Sequence, residues 1–127
     1  MSEKILVVED DFANQQVSLL FLQKFGYDVE VAENGANAVE LAERNSYQLI
    51  LMDCQMPILN GFEATKKIRS TPGINQTTPI VALTANLVDG IHQQCIDSGM
   101  NDVLNKPIKM DLLGRMVEQW IEKGSNG

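Results

Sequence analysis

Asp53 closes the apolar run Leu49-Ile50-Leu51-Met52, and Cys54-Gln55-Met56-Pro57 follows it. A short apolar run bounded by a turn signal reads as a buried strand of a parallel sheet. Asp53 then stands at the strand's C-terminal end, where open α/β sheets form their ligand crevices. A carboxylate there is costly unless a positive group meets it. On this stretch alone, a turn-capping acid is an equally good reading. Other strand-like segments also end on polar groups: Glu9-Asp10 after Ile5-Leu6-Val7-Val8, Thr84 after Pro79-Ile80-Val81-Ala82-Leu83, and Lys106 after Asp102-Val103-Leu104-Asn105. Brought to one edge, these would surround a small crevice with carboxylates, a hydroxyl and an ammonium. Crowded carboxylates repel one another unless a cation neutralises them. A hard divalent ion suits such oxygen donors, and Mg2+ suits a site with few protein ligands. Singly, Lys106 reads as an ordinary salt-bridge partner and Thr84 as a β-branched strand residue.

The intervening segments must place those ends together. Residues 13 to 25 carry Val17, Phe21 and Phe25 at helical spacing, which predicts that stripe as the inward face with Leu22 on its flank. Leu19 and Leu20 fall on the other side, an apolar surplus that fits deeper burial, scattered exposure or a docking face. Gly26 offers a left-handed stop. Asp28 to Ala32 alternates as a second strand, Asn34-Gly35 marks a turn, and Ala36 to Arg44 is rich in helix formers. Gln48 to Asp53 is the third strand, Gly61 to Arg69 a short helix, and Thr71 to Thr78 a loop. Leu87, Ile91 and Cys95 define a fourth helix ending near Gly99. The last helix, from about 109 to 123, should turn Leu112, Leu113, Met116, Val117 and Trp120 inward, and the chain from Lys123 should fray. Gly114 should weaken that helix by roughly 1 kcal/mol relative to Ala.

This alternation predicts an α/β fold, a doubly wound parallel sheet covered on both faces through right-handed crossovers. In the strand order 2-1-3-4-5, strands 1 and 3 are neighbours and their acids converge. The segments are too unlike one another to be a repeat, and no linker is visible. A single domain over residues 1–127 is expected, with its core from 4 to about 121.

The net charge of −7 argues against a nucleic-acid surface, which needs clustered Lys and Arg. Most of that acidity needs no role beyond solubility. Cys54 and Cys95 are far apart in sequence without a metal-like spacing, so free thiols in a reducing cytoplasm are expected. His92 is the sole histidine, which disfavours a Ser-His triad or a histidine metal centre. No run resembles a signal peptide or a membrane span.

Taken together, Ile5-Leu6-Val7-Val8-Glu9-Asp10-Asp11, Leu51-Met52-Asp53-Cys54-Gln55-Met56-Pro57, Asn60-Gly61, Leu83-Thr84-Ala85 and Lys106-Pro107 resemble the receiver domains of two-component response regulators. The resemblance runs from Lys4 to about Ile121. The phrases Met52-Asp53-Cys54-Gln55-Met56-Pro57 and Ala82-Leu83-Thr84-Ala85-Asn86 are most similar to receivers of hybrid sensor histidine kinases. It implies a CheY-like, flavodoxin-like (βα)5 fold working in phosphorelay signal transduction. By the same resemblance Asp53 accepts a phosphoryl group from the phosphohistidine of a histidine kinase or histidine phosphotransfer domain. Mg2+ would be held by Asp10, by Glu9 directly or through water, by Asp53 and by the backbone carbonyl of Gln55. Thr84 and Lys106 would contact phosphoryl oxygens, and the small Ala85 would leave room for them. Gln55 and Asn86 would flank the site and tune how water reaches the acyl phosphate.

Such a domain is not a turnover enzyme, although it catalyses its own Mg2+-dependent phosphorylation and dephosphorylation. No nucleic-acid or membrane contact is expected of it, whether free-standing or part of a longer hybrid kinase. In the family, helical donor bundles dock beside the first helix, which makes Leu19 and Leu20 candidate anchors. Lys106-Pro107 should be cis, because the lysine must turn back into the crevice within a tight turn. One departure stands out: Val103 occupies the strand-5 position where the family commonly places Tyr or Phe, so switching by ring rotation is in doubt.

Other readings of the pattern fit less well. A flavin mononucleotide binder needs a Ser/Thr/Gly-rich phosphate loop after strand 1, where Glu9-Asp10-Asp11 would repel the phosphate. An aspartyl-phosphate phosphatase wants an Asp-x-Asp pair there. An unphosphorylated receiver scaffold should lack key positions, and here all are present.

Overall fold

The computed structural model describes residues 4–54, 59–85 and 90–126, with side chains as far as Ile121. Among the described residues, five strands alternate with five helices: β1 (Lys4–Val8), α1 (Phe12–Lys24), β2 (Asp28–Ala32), α2 (Gly35–Arg44), β3 (Leu49–Asp53), α3 (Gly61–Ser70), β4 (Ile80–Thr84), α4 (Ile91–Ser98), β5 (Asp102–Asn105) and α5 (Met110–Asn126). The strands form one parallel sheet, as the alternation predicts, in the order β2-β1-β3-β4-β5 that the receiver resemblance implies.

The two-residue period of the strands divides the interior in two. Leu6, Val8, Ile50, Met52, Ile80 and Ala82 face α2, α3 and α4, where Ala38, Ala42, Ala64, Ile68 and Cys95 meet them. Ile5, Val7, Leu49, Leu51, Val81 and Leu83 face α1 and α5, against Leu22, Leu113, Val117 and Ile121. Strands buried on both faces explain the nearly unbroken apolar runs at β1, β3 and β4.

α1 differs from its expected orientation. Ser18 and Leu22 are the buried residues, whereas Val17 and Phe25 are 38% and 39% exposed and Phe21 only borders the core. Apolar residues lie all round this helix, so spacing alone could not single out the inward stripe. A serine occupies one of the buried positions, and its hydroxyl has no hydrogen-bond partner among the described residues. Ser18→Ala should therefore raise stability by about 1 kcal/mol in urea unfolding, because an uncompensated buried hydroxyl is removed and helix propensity improves.

At the other end of the chain, Leu112 is 45% exposed rather than inward, since the buried stripe of α5 runs through Leu113, Val117 and Ile121 with Met116 and Trp120 at its margins. α5 stays helical to Asn126, past the point where fraying was expected. Gly114 also makes room for Phe25: a Cβ there would lie 2.9 Å from its ring.

Asn34-Gly35 begins α2 rather than forming a separate turn, with the Asn34 side chain accepting from the Asn37 amide at 2.8 Å. Gly26 and Gly99 follow α1 and α4 in the left-handed region expected of helix stops.

The sheet's N-terminal edge is closed by side-chain bonds. Asn75 donates to the carbonyls of Ala42 and Asn45 at 2.7 and 2.6 Å and accepts from the Tyr47 amide at 3.1 Å. Arg69 donates to the carbonyls of Gly99 and Gln76, both at 2.9 Å, and to Asn101 Oδ1 at 2.8 Å. That oxygen also accepts from the Ile80 amide at the start of β4.

Candidate functional site

The opposite edge gathers the polar strand ends. Val8 is in register with Met52, so Glu9 and Asp53 leave neighbouring strands side by side. Carboxylate oxygens of Glu9, Asp10 and Asp53 lie within 4.8 Å of one another. Lys106 Nζ stands 2.8 Å from Glu9 Oε1 and 3.1 Å from Asp53 Oδ2. Glu9, Asp53 and Thr84 are buried, whereas Asp10 is exposed at the rim.

Local structure fixes each group. Glu9 donates its amide to the Ala32 carbonyl, and its own carbonyl accepts from Gln15 Nε2 at 2.7 Å. Asp11 caps α1, accepting from the Asn14 amide at 2.9 Å, so Asp10 is held between a strand end and a helix start. Behind Asp53, the Cys54 amide donates to the Leu83 carbonyl at 3.1 Å and the Cys54 carbonyl accepts from the Gly61 amide at 3.2 Å. A Cβ on Gly61 would collide with the Asp53 carbonyl oxygen, so glycine lets α3 begin directly behind the acid. Lys106 follows β5, donates its amide to the Thr84 carbonyl at 2.9 Å, and is joined to Pro107 by the expected cis bond.

The electrostatics follow from burial and crowding. Burial pushes Glu9 up to about 7, and a hydrogen bond shared with Asp53 adds to the rise while Lys106 opposes it. Burial alone would lower Lys106, but its bonds to Glu9 and its attraction to both acids hold it above its ordinary value. An all-oxygen cluster with one acid at the solvent rim fits a hard cation such as Mg2+, which Asp10, Glu9 and Asp53 could hold.

Glu9, Asp10, Asp53, Thr84 and Lys106 thus share one edge, with Ala85 exposed just beyond Thr84. Gln55, Asn86 and Leu87 lie outside the described residues. On α1, Leu20 is 63% exposed and Leu19 half-buried. Gln15 and the close approach at Gly61 were missed in the sequence. Asn60-Gly61 carried a signal, an N-cap residue before a glycine, whereas Gln15 carried none.

The sequence matches the response regulator receiver domain family over residues 5–118. The chain belongs to that family. This receiver domain is 46% identical to a segment of hybrid signal transduction histidine kinase B of Dictyostelium discoideum, over 92% of this chain and 6% of that protein. With hybrid signal transduction histidine kinase K of the same organism it is 41% identical, over 94% of this chain and 10% of the relative. The chain therefore spans a small part of the curated relatives it matches. Among solved structures, the receiver domain of sensor histidine kinase PA1611 from Pseudomonas aeruginosa PAO1 superimposes with a TM-score of 0.89 at 43% identity, covering 96% of this chain and 99% of that one. That domain has a magnesium ion coordinated in its active-site cleft. The receiver domain of Ssk1 from Saccharomyces cerevisiae, solved with the histidine phosphotransfer protein Ypd1, gives 0.84 at 34% identity, covering 94% and 88%. Among the described residues, no helix is long and apolar enough to cross a membrane.

Proposed function

We propose that this receiver domain is a phosphoacceptor in a phosphorelay, with Asp53 taking a phosphoryl group from a phosphohistidine donor. The observation that carries this reading is Lys106 Nζ bridging two buried strand-end acids, Glu9 and Asp53. An Asp53 oxygen attacks phosphorus in line, the phosphorus–nitrogen bond breaks, and the electron pair returns to the donor imidazole. Lys106 then exchanges its ion pair with Asp53 for one with a phosphoryl oxygen, and the Thr84 hydroxyl donates to another. Gln55 and Asn86 are assigned to the water side of the acyl phosphate, with Ala85 leaving room beside it. Bound Mg2+ would neutralise charge on the transferring group. Glu9, Asp10 and Asp53 would hold it, together with the Gln55 carbonyl.

The test is incubation with Mg2+ and acetyl phosphate. One acid-stable, base-labile phosphoryl per chain is expected, and no uptake would overturn the reading. Metal binding is checked separately by calorimetry. Asp10→Ala should lose most Mg2+ affinity while raising the metal-free melting temperature, because one repelling charge is gone. Unchanged affinity would remove Asp10 from the metal site.

The donor's docking surface is proposed on α1 beside the crevice. Val17 and Leu20, three residues apart on one face, are exposed, and Val17 borders a pocket of about 90 Å3 with Asn14, Lys106, Pro107 and Ile108. Leu20 is the principal anchor and the half-buried Leu19 a secondary one. Val103, half-buried on β5, has no ring to rotate, which favours relay to a phosphotransfer protein over ring-coupled switching. Leu20→Glu should slow transfer from a phosphohistidine protein about tenfold or more, the cost of one apolar anchor. Labelling by acetyl phosphate should be unchanged. Equal rates with the protein donor would dismiss this surface.

A further inference from the structure

Cys54 and Cys95 stand 41 positions apart in sequence, yet their sulfurs lie 3.6 Å apart in the interior. We propose that this pair is an oxidation site, closed to a disulfide by a small peroxide, and that the closed form takes up phosphoryl at Asp53 more slowly. The geometry favours closure over other fates. Both thiols are buried, so bulky thiols such as glutathione are kept out, and each sulfur already touches the only partner within reach among the described residues. A disulfide bond is about 2 Å long, so the two sulfurs must approach by roughly 1.5 Å.

The bond would tie the residue after Asp53 to α4. Cys54 directly follows Asp53 and is fixed by backbone bonds to Leu83 and Gly61. Cys95 lies on the inward face of α4, where its carbonyl accepts from Ser98 Oγ at 2.7 Å and from the Met100 amide at 3.1 Å. Closing the pair pulls the residue beside the nucleophile toward α4. In-line transfer is sensitive to misplacement of about 1 Å.

The chemistry balances with peroxide as the oxidant. A thiolate sulfur attacks one peroxide oxygen, the O–O bond breaks, and a sulfenic acid and hydroxide form. The second thiol's sulfur attacks the sulfenic sulfur, the S–O bond breaks, and water leaves as the S–S bond forms. Two thiols lose two hydrogens and one peroxide becomes two waters. Both thiols are buried, which limits access of the oxidant and makes the reaction slow.

The full chain is treated with hydrogen peroxide, quenched, and weighed intact without reductant. Loss of two hydrogens, restored by a phosphine reductant, with a cross-linked peptide joining residues 54 and 95, is expected. Cys54→Ala and Cys95→Ala, each checked for a cooperative melt, should show no such loss. An unchanged wild-type mass, or only disulfide-linked dimers, would overturn the site. Acetyl-phosphate labelling should then be severalfold slower in the oxidised protein, recover on reduction, and be insensitive to peroxide in Cys95→Ala. Equal labelling of both forms would overturn the effect on Asp53. This second half rests on the phosphoacceptor reading, and the mass measurement does not. Loss of hydrogens with no labelling of either form would support the cysteine pair and count against that reading.

Discussion

Asp53→Asn is expected to abolish phosphoryl uptake, from acetyl phosphate and from a phosphohistidine protein alike. The amide has the same shape as the carboxylate and can still accept from Lys106 Nζ, now 3.1 Å from Asp53 Oδ2. It lacks the anionic oxygen that attacks phosphorus in the proposed transfer. Asp53 is buried beside Glu9, so the substitution also removes one of two crowded negative charges and leaves Glu9 as the only carboxylate of the pair facing Lys106. The metal-free variant should therefore melt slightly above the wild type, by the equivalent of about 1 kcal/mol. Folding and phosphorylation thus move in opposite directions, which separates loss of the nucleophile from misfolding. Intact mass after labelling and a thermal melt check both halves. A wild-type yield of phosphoprotein would remove Asp53 from its role.

Without metal, the protein should become more stable as pH falls from about 7.5 to 5.5. Glu9 has an ordinary value of 4.5 when the chain is unfolded and about 7 when folded. Between those values the folded state holds a proton that the unfolded state has released. Stability from this group is complete below the lower value and is lost as pH rises through the higher one. At 1.36 kcal/mol per pH unit, the whole window is worth roughly 3 kcal/mol, of which about 2 kcal/mol falls between pH 7.5 and 5.5. Mg2+ competes with that proton for the same oxygens, so saturating metal should stabilise the protein most at the alkaline end and flatten the profile. Urea unfolding at several pH values, with Mg2+ or with chelator, measures this directly. Glu9→Gln should remove the slope in chelator. An equally steep slope in that variant would assign the effect to another group.

The fold was legible because the central strands β1, β3 and β4 are apolar on both faces and each connection is long enough for a helix. Strand order and the converging acids followed from that alternation and the resemblance. What escaped were matters of helix rotation and long-range contact. On α1, Val17, Leu19, Leu20, Phe21, Leu22 and Phe25 leave no polar face to mark the outside, and a serine sits inside. The Arg69 and Asn75 networks join loops far apart in sequence, and no local pattern announces them. Cys54 and Cys95 gave no sign of their proximity, because α4 reaches β3 only once the sheet has formed.

The two ends of the sheet are built to different standards. At the N-terminal edge, Asn75 and Arg69 tie the loops before β3, β4 and β5 through bonds of 2.6 to 3.1 Å. At the acidic edge, position depends on the ion pairs of Lys106 with Glu9 and Asp53, whose balance a proton, a cation or the proposed phosphoryl group would change. Amide protons should report this asymmetry in heavy water. Those of Tyr47 and Ile80 should exchange through global unfolding, and those of Asp11 and Lys106 through smaller openings sensitive to Mg2+. With that exchange pattern, the sheet would act as a clamp with a fixed jaw and a free one, and the proposed chemistry at the crevice would work the free jaw without loosening the fold.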